Sequence, residues 1–317
     1  MARAELLLDL VEAERRGDRE RFKVLVESVI AEERANQHHL LADRLSQLIT
    51  TTGQGIRDDR ASAMRDLVHE IVPNRRLHDL ELAPVPHRVI AELVEEQQRT
   101  ELLRSYGIEP RNRLLLSGPP GNGKTSVAEA IASELMLPFY VVRYEGVISS
   151  FLGETAARLD NAFEFARTRR CVLFFDELDA IAKERSDEHE TGEIKRVVST
   201  LLLQIDRLPP HVIFIGATNH GELLDRAAWR RFQIRVELGA PTLAQATRFL
   251  KSLAARFGGD LGFTPRTLAD KLAGASFAEL EEFALDVRRR AVLELPDGDI
   301  RRIVRERLEH RRNEVSE

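Results

Sequence analysis

Between residues 113 and 238, apolar runs of strand length alternate with segments whose apolar residues recur every three or four positions. Near-continuous apolar runs are typical of strands buried on both faces, and helical segments between them indicate the crossover connections of a parallel sheet. The runs are RLLLS (113–117), FYVVRY (139–144), CVLFF (171–175), VIFIGA (212–217) and IRVEL (234–238). The pattern therefore predicts an α/β fold built on a parallel sheet.

The first 50 residues have only the helical pattern, over residues 2–16 and 19–49. Gly17 and Asp18 separate these segments, and they are residue types that end one helix and cap the next. This arrangement predicts an N-terminal helical hairpin. Residues 51–60 have no periodicity and contain two glycines, which is typical of a linker.

The pattern also divides the chain into parts. After Pro241 only helical patterns remain, which predicts a small helical subdomain at the C-terminal end. The predicted parts are residues 1–75, an N-terminal helical module with its linker; 76–240, a large α/β subdomain; and 241–317, a small α-helical lid.

Composition narrows the classes of function. Of the 317 residues 43% are hydrophobic, which excludes a mainly disordered chain, and the single cysteine, Cys171, falls in an apolar run and is predicted to be buried. The net charge of -5 and the pI of about 6.1 disfavour a nucleic-acid partner. No apolar run approaches the roughly 18 residues of a membrane span, and Glu5 and Asp9 interrupt the N-terminal leucines. We therefore expect a cytoplasmic protein without a membrane partner.

A glycine-rich segment with a lysine directly follows the run RLLLS and opens the helical run SVAEAIASEL. That context is required of a phosphate-binding loop, whose backbone N–H groups converge on phosphate oxygens at a helix N-terminus. In such a loop Lys124 reaches the β- and γ-phosphates, and the hydroxyl of Thr125 ligates magnesium. The predicted ATP-binding residues are Gly118, Pro119, Pro120, Gly121, Asn122, Gly123, Lys124 and Thr125.

Polar residues follow two other predicted strands at the edge where open α/β sheets bind ligands. Asp176 and Glu177 come directly after CVLFF, and we expect Asp176 to hold the magnesium and Glu177 to act as general base toward water. Asn219 follows VIFIGAT and would place a neutral amide beside the γ-phosphate. Arg230 and Arg231 are adjacent cations, which indicates a phosphate or carboxylate partner.

With these elements in order, the chain resembles the AAA ATPases of the AAA+ superfamily from about residue 102 to 293. GPPGNGKT resembles their Walker A motif, FFDELDAI Walker B, GATN sensor 1, and LLDRAAWRRF the region of the arginine fingers. The resemblance implies a P-loop AAA+ domain that hydrolyses ATP with Mg²⁺ in a ring homo-hexamer. It also implies that Arg230 and Arg231 reach the ATP of a neighbouring subunit, and that Asp206 ends a segment signalling nucleotide state.

The chain departs from the AAA pattern at three places. The segment LELAPVPHRV (80–89) replaces the usual D-x-x-G beside the adenine, so no adenine contacts carry over from the family. Phe277 stands where the lid helix usually has glycine, and Ala278 leaves no sensor 2 arginine. The arginine region lacks the usual Pro-Gly, which leaves the order of the two fingers open.

Phe151, Leu152 and Gly153 resemble the aromatic-hydrophobic-Gly pore loop of AAA rings that thread proteins. An exposed aromatic side chain can grip extended polypeptide through apolar contact, whereas the alternative places Phe151 in a core. The resemblance favours a remodeller, unfoldase or extractor of protein substrates, with the N-terminal helices selecting a substrate or partner protein. Two alternatives stay open: an ATP-dependent switch that gates a partner enzyme such as a protease or toxin, and a nucleic-acid motor or loader.

Overall fold

The computed structural model describes residues 68–142, 152–178, 200–223, 226–257, 259, 261–295 and 298–314, together with Leu25, Val26, Ser28 and Val29. Those four residues are helical, and the rest of the predicted N-terminal hairpin lies outside the described residues. The elements below belong to the compact unit Met64–Glu317. The division at residues 75 and 240 stays a prediction.

A six-stranded sheet forms the centre of this unit, in the order β1-β3-β4-β5-β2-β6. The pairings are parallel except that of β1 with β3. The strands are β1 (Val68–Ile71), β2 (Arg113–Ser117), β3 (Phe139–Val142), β4 (Cys171–Phe175), β5 (Val212–Thr218) and β6 (Ile234–Glu237). All five strands expected from the apolar runs are therefore present, and the predicted fold class is confirmed.

The α-helices are α1 (Pro84–Gln98), α2 (Thr100–Ser105), α3 (Lys124–Glu134), α4 (Leu152–Arg167), α5 (Arg226–Trp229), α6 (Leu243–Arg256), α7 (Pro265–Lys271), α8 (Phe277–Leu293) and α9 (Ile300–Glu314). Leu77–Asp79 and Gly221–Leu223 form 3-10 turns, and residues 200–206 are helical. Among the described helices, none has the length and apolar character needed to cross a membrane.

The sheet is buried on both faces, as the continuous apolar runs predict. In β4, Cys171, Leu173 and Phe175 belong to one hydrophobic cluster, and Val172 and Phe174 belong to another. The first cluster includes residues of α4, and the second includes residues of α1 and α3. Because side chains alternate across a strand, a shift of one residue would exchange the two clusters, so strand register is tightly specified.

β1 was not expected from the sequence, and it lies within the range 1–75 predicted for the N-terminal module. It pairs antiparallel with β3, with Val68 opposite Val142 and Ile71 opposite Phe139. Only Val68 of the four residues is buried, which is typical of an edge strand. Its sequence, VHEI, is short and half charged or polar, so periodicity gave no signal for it.

Helices α6 to α9 enclose a separate hydrophobic cluster and form the lid. Their beginnings are fixed by side chains that accept the free N–H groups of the first turn. Thr242 caps α6 by accepting from Gln245, and Ser276 caps α8 by accepting from Glu279. Hydrogen bonds from Ser276 in turn hold the pKa of Glu279 below its usual value. The helical pattern after Pro241 therefore corresponds to helices.

Burial of Cys171 leads to a prediction about its reactivity. The side chain is fully buried, and desolvation raises the pKa of its thiol to about 12. Because the thiolate is the reactive form, we expect no reaction with Ellman's reagent in the native protein and one equivalent after guanidinium unfolding. Met136→Cys, at a position 91% exposed, is the matched control and should add one rapidly reacting thiol. Rapid native labelling of the parent would contradict the burial.

Candidate functional site

The turn between β2 and α3 requires glycine at two places. Gly118 has φ of 136°, and a Cβ there would lie 2.1 Å from the carbonyl oxygen of Leu238. Gly121 has φ of 75°, and a Cβ there would lie 2.7 Å from Oγ of Ser276 in the lid. Any side chain at either position would displace the loop, so these glycines let it pass between β6 and the lid.

Lys124 begins α3, and its side chain turns back into the loop. It is 7% exposed, and its Nζ donates to the carbonyl oxygens of Gly118 at 2.6 Å and Pro119 at 3.0 Å. Asn122 is 4% exposed, and its side-chain amide has no hydrogen-bond partner among the described residues. A buried polar group without a partner costs about 1–3 kcal/mol, so the loop fits a polar, anionic ligand.

The strand order brings the other predicted residues to the same edge of the sheet. Asn219 follows β5, which pairs with β2, and Asp176 and Glu177 follow β4 on the far side of β5. Oδ1 of Asp176 accepts the backbone N–H of Glu177 at 3.0 Å. Glu177 has φ of 55°, and the left-handed region costs a non-glycine residue about 1–3 kcal/mol. Met136, just after α3, is the other described non-glycine residue with positive φ, at 53°.

A cavity of about 410 Å³ opens where these segments meet. It is lined by the loop residues from Pro120 to Thr125, by Asp176 and Glu177, and by Asn219. The structure therefore brings together the predicted phosphate loop, acidic pair and amide. Gly118 and Pro119 are not part of the lining, and their carbonyl groups accept hydrogen bonds from Lys124.

The oxygen groups at this cavity fit a magnesium ion. The hydroxyl of Thr125 and the carboxylate of Asp176 belong to the same lining, and Mg²⁺ prefers oxygen ligands with few protein carboxylates. Among the described residues, no group of three or more His, Cys, Asp or Glu side chains could hold a metal by itself.

The cavity also has walls that the motifs did not reveal. Their residues come from the segment before α1 and from the lid: Arg75, Asp79, Leu80, Glu81, Leu82, Phe249, Phe277, Ala278 and Glu281. Glu129 of α3 holds the first segment by accepting the backbone N–H groups of Asn74 at 2.9 Å and Arg75 at 3.2 Å. The departures of the sequence from the AAA pattern were the available signal, because Leu80, Glu81 and Leu82 of the segment 80–89 and Phe277 all line this cavity.

Neither candidate arginine finger is among the described residues that line the cavity of its own chain. Arg230 is exposed. Nε of Arg231 lies 3.0 Å from Oδ2 of Asp206 and donates to the carbonyl oxygen of Leu202 at 3.3 Å. Asp206 also pairs with Arg113 of β2 at 3.3 Å. The two adjacent arginines therefore differ in environment.

The pore-loop assignment stays a prediction. Phe151 lies outside the described residues, and Leu152 and Gly153 are the first two residues of α4.

The fold and the cavity define a P-loop nucleotide-binding domain with a helical lid. Residues 114–240 match the model of the ATPase family associated with various cellular activities (AAA). The AAA family ATPase y4kL of Sinorhizobium fredii, itself uncharacterized, is 37% identical over 303 residues, covering 93% of this chain and 91% of that protein. The chain therefore belongs to the AAA ATPase family, binds nucleotide and is an ATP hydrolase.

Other relatives are longer proteins that share part of their length with this chain. A putative 26S proteasome regulatory subunit homolog of Methanothermobacter marburgensis is 31% identical over 227 residues, 70% of this chain and 59% of that protein. The peroxisomal ATPase pex6 of Schizosaccharomyces pombe is 43% identical over 145 residues, 43% of this chain and 15% of that protein. The similarity to pex6 thus covers a minor part of that protein.

The positions of Lys124 and Glu177 predict that their variants fail at different steps. Lys124→Ala removes the buried ammonium from the loop, so nucleotide binding should be lost. Glu177→Gln removes only the carboxylate base, so ATP should still bind while turnover falls about 10²- to 10⁴-fold. Binding of a fluorescent ATP analogue and phosphate release measure the two effects. Equal nucleotide affinity in the two variants would contradict these roles, and Glu282→Gln, exposed on α8, is the control.

Proposed function

We propose that this ATPase is magnesium-dependent, assembles into a homo-hexamer and couples ATP hydrolysis to remodelling, unfolding or extraction of protein substrates. The observation that carries the proposal is the cavity that joins the phosphate loop, the acidic pair and Asn219 but has neither arginine in its described lining. The phosphate-binding groups and base come from one subunit, and the arginines would come from the next.

Each residue of the cavity has a role that follows from its chemistry. Lys124 and the loop N–H groups bind the β- and γ-phosphates, and Thr125 and Asp176 hold the magnesium. When bound, the ion neutralises charge on the phosphate oxygens. Glu177 accepts a proton from the attacking water, and the amide of Asn219 hydrogen-bonds the γ-phosphate and that water without adding charge.

Arg230 and Arg231 act in trans in this proposal. Arg230 is exposed, and Arg231 is half-buried and paired with the partly exposed carboxylate of Asp206. A guanidinium that meets the γ-phosphate stabilises the charge that develops during transfer. The pair of Asp206 with Arg231 also connects the arginine region to the helical residues 200–206.

We expect at least one of Arg230→Ala and Arg231→Ala to lower turnover about 10³-fold or more with nucleotide affinity nearly unchanged. Mixing that variant with Lys124→Ala should restore part of the activity, because a mixed interface combines an intact arginine with an intact loop. Phosphate release across mixing ratios measures the rescue, with mixed rings verified by mass photometry. Arg289→Ala, exposed on α8, is the matched control and should neither lose activity nor be rescued. Failure of rescue in verified mixed rings would place the arginines in their own subunit.

Protein substrates are supported by the pore-loop pattern and by the relatives. One relative is named as a putative homolog of a 26S proteasome regulatory subunit, and 70% of this chain is similar to it. The net charge of -5 disfavours nucleic acid as the substrate. The N-terminal helices would then select the substrate or dock a partner protein.

Phe151 distinguishes threading from its alternatives. If its ring grips polypeptide, Phe151→Ala should keep the parent's melting temperature and basal ATPase but lose unfolding of a model protein substrate. Phe151→Tyr keeps an aromatic ring and is the matched control, with unfolding retained. A core residue would instead cost about 3–5 kcal/mol on truncation, visible as a melting temperature lower by many degrees.

ATPase and unfolding assays on the parent and on Phe151→Ala also distinguish the two alternative functions. ATPase activity of the parent that rises with single-stranded nucleic acid, and binding of that nucleic acid weakened in Phe151→Ala, would identify a nucleic-acid motor. A parent that unfolds no protein, with an ATP-dependent change in a bound partner enzyme, would identify a switch.

A further inference from the structure

The lining of the cavity contains both polar and apolar side chains. The phosphate loop, Asp176 and Glu177 belong to it, as do two leucines and two phenylalanines. These apolar residues are Leu80, Leu82, Phe249 and Phe277. A nucleotide has anionic phosphates at one end and a flat base at the other. The buried ammonium of Lys124 attracts the phosphates to the loop, which leaves the apolar side chains of the lining for the base.

The backbone at Phe277 is held against the phosphate loop. Ser276, directly before it, lies within reach of Gly121, and the N–H of Ala278, directly after it, donates to the carbonyl oxygen of Gly121 at 3.0 Å. The Phe277 ring packs edge-on against Phe249, with 5.1 Å between centroids and an interplanar angle of 80°. Its orientation is thus set by the loop on one side and by α6 on the other.

A second segment of the lining is tied to the lid by Glu81, which lies between the two leucines in the sequence. The carbonyl oxygen of Glu81 accepts from Nε2 of Gln245 at 3.1 Å, and its carboxylate pairs with Nε of Arg248 at 2.8 Å. These contacts hold the segment of Leu80 and Leu82 to α6. The leucine segment and Phe277 are therefore both packed against α6, and both line the same cavity.

We propose that Phe277 is a ligand-contacting residue for the nucleobase, and that its ring contributes affinity for the base rather than for the phosphates. The proposal rests on nucleotide binding at this cavity. Aromatic rings bind bases through stacking and edge contacts that are favourable for any base with a π face. The AAA pattern usually has glycine at this position, so the motif by itself would not predict this contact.

Binding of ADP and of inorganic pyrophosphate to the full chain tests the proposal, because pyrophosphate has the phosphates without the base. We expect Phe277→Ala to weaken ADP binding about tenfold, equivalent to ~1.4 kcal/mol, and to leave pyrophosphate binding unchanged. Titration calorimetry measures ADP, and competition against a fluorescent ADP analogue measures pyrophosphate. Phe277→Leu keeps an apolar side chain without the ring, so its loss of ADP affinity should be smaller than that of Phe277→Ala. It also tests the proposal if Phe277→Ala does not fold.

Phe263 supplies the matched control. It packs on the hydrophobic cluster of the lid but lines a different cavity, so Phe263→Ala should leave the affinity ratio of ADP to pyrophosphate at the parent's value. Unchanged ADP affinity in Phe277→Ala and Phe277→Leu would overturn the proposal. Equal losses for ADP and pyrophosphate would also overturn it, because they would assign Phe277 to shaping the phosphate loop. Neither result changes ATP hydrolysis by the parent, so failure of this proposal can be distinguished from failure of the proposed function.

Discussion

The site depends on the placement of β5 between β4 and β2. Parallel pairing sets Ser117 beside Thr218 and Phe175 beside Gly216, so three strands deliver their following residues to one edge. Burial of both sheet faces enforces this register, since a slip of one residue would exchange every side chain between two packed clusters. Apolar packing thereby positions the polar residues that line the cavity.

A second constraint is the close approach of the lid to the phosphate loop. The backbone of Gly121 accepts a hydrogen bond from Ala278, and the loop passes the carbonyl of Leu238 at Gly118 too closely for any side chain. The lid and the large α/β part therefore share the wall of the cavity. A ligand that fills this cavity would therefore contact residues of both.

Asp206 connects the strand that leads into the phosphate loop to the region of Arg230 and Arg231. It pairs with Arg231 and with Arg113, and Arg113 begins the strand whose other end leads into the phosphate loop. The resemblance to AAA proteins assigned Asp206 to the signalling of nucleotide state. Its two ion pairs are partly exposed, so their effect lies in orienting the guanidinium of Arg231 more than in stabilising the fold.

The sequence by itself determined the five strands between residues 113 and 238, the phosphate loop, and the acidic and amide residues. These are local signals, because periodicity and the order of residue types depend on neighbours along the chain. Tertiary structure alone decided the strand order, the edge strand β1, the pairing of Asp206 with Arg231, and the wall of Leu80, Leu82, Phe249 and Phe277. Those features join segments up to about 200 residues apart, as Leu80 and Phe277 are, and no local pattern encodes which distant surface a side chain will meet.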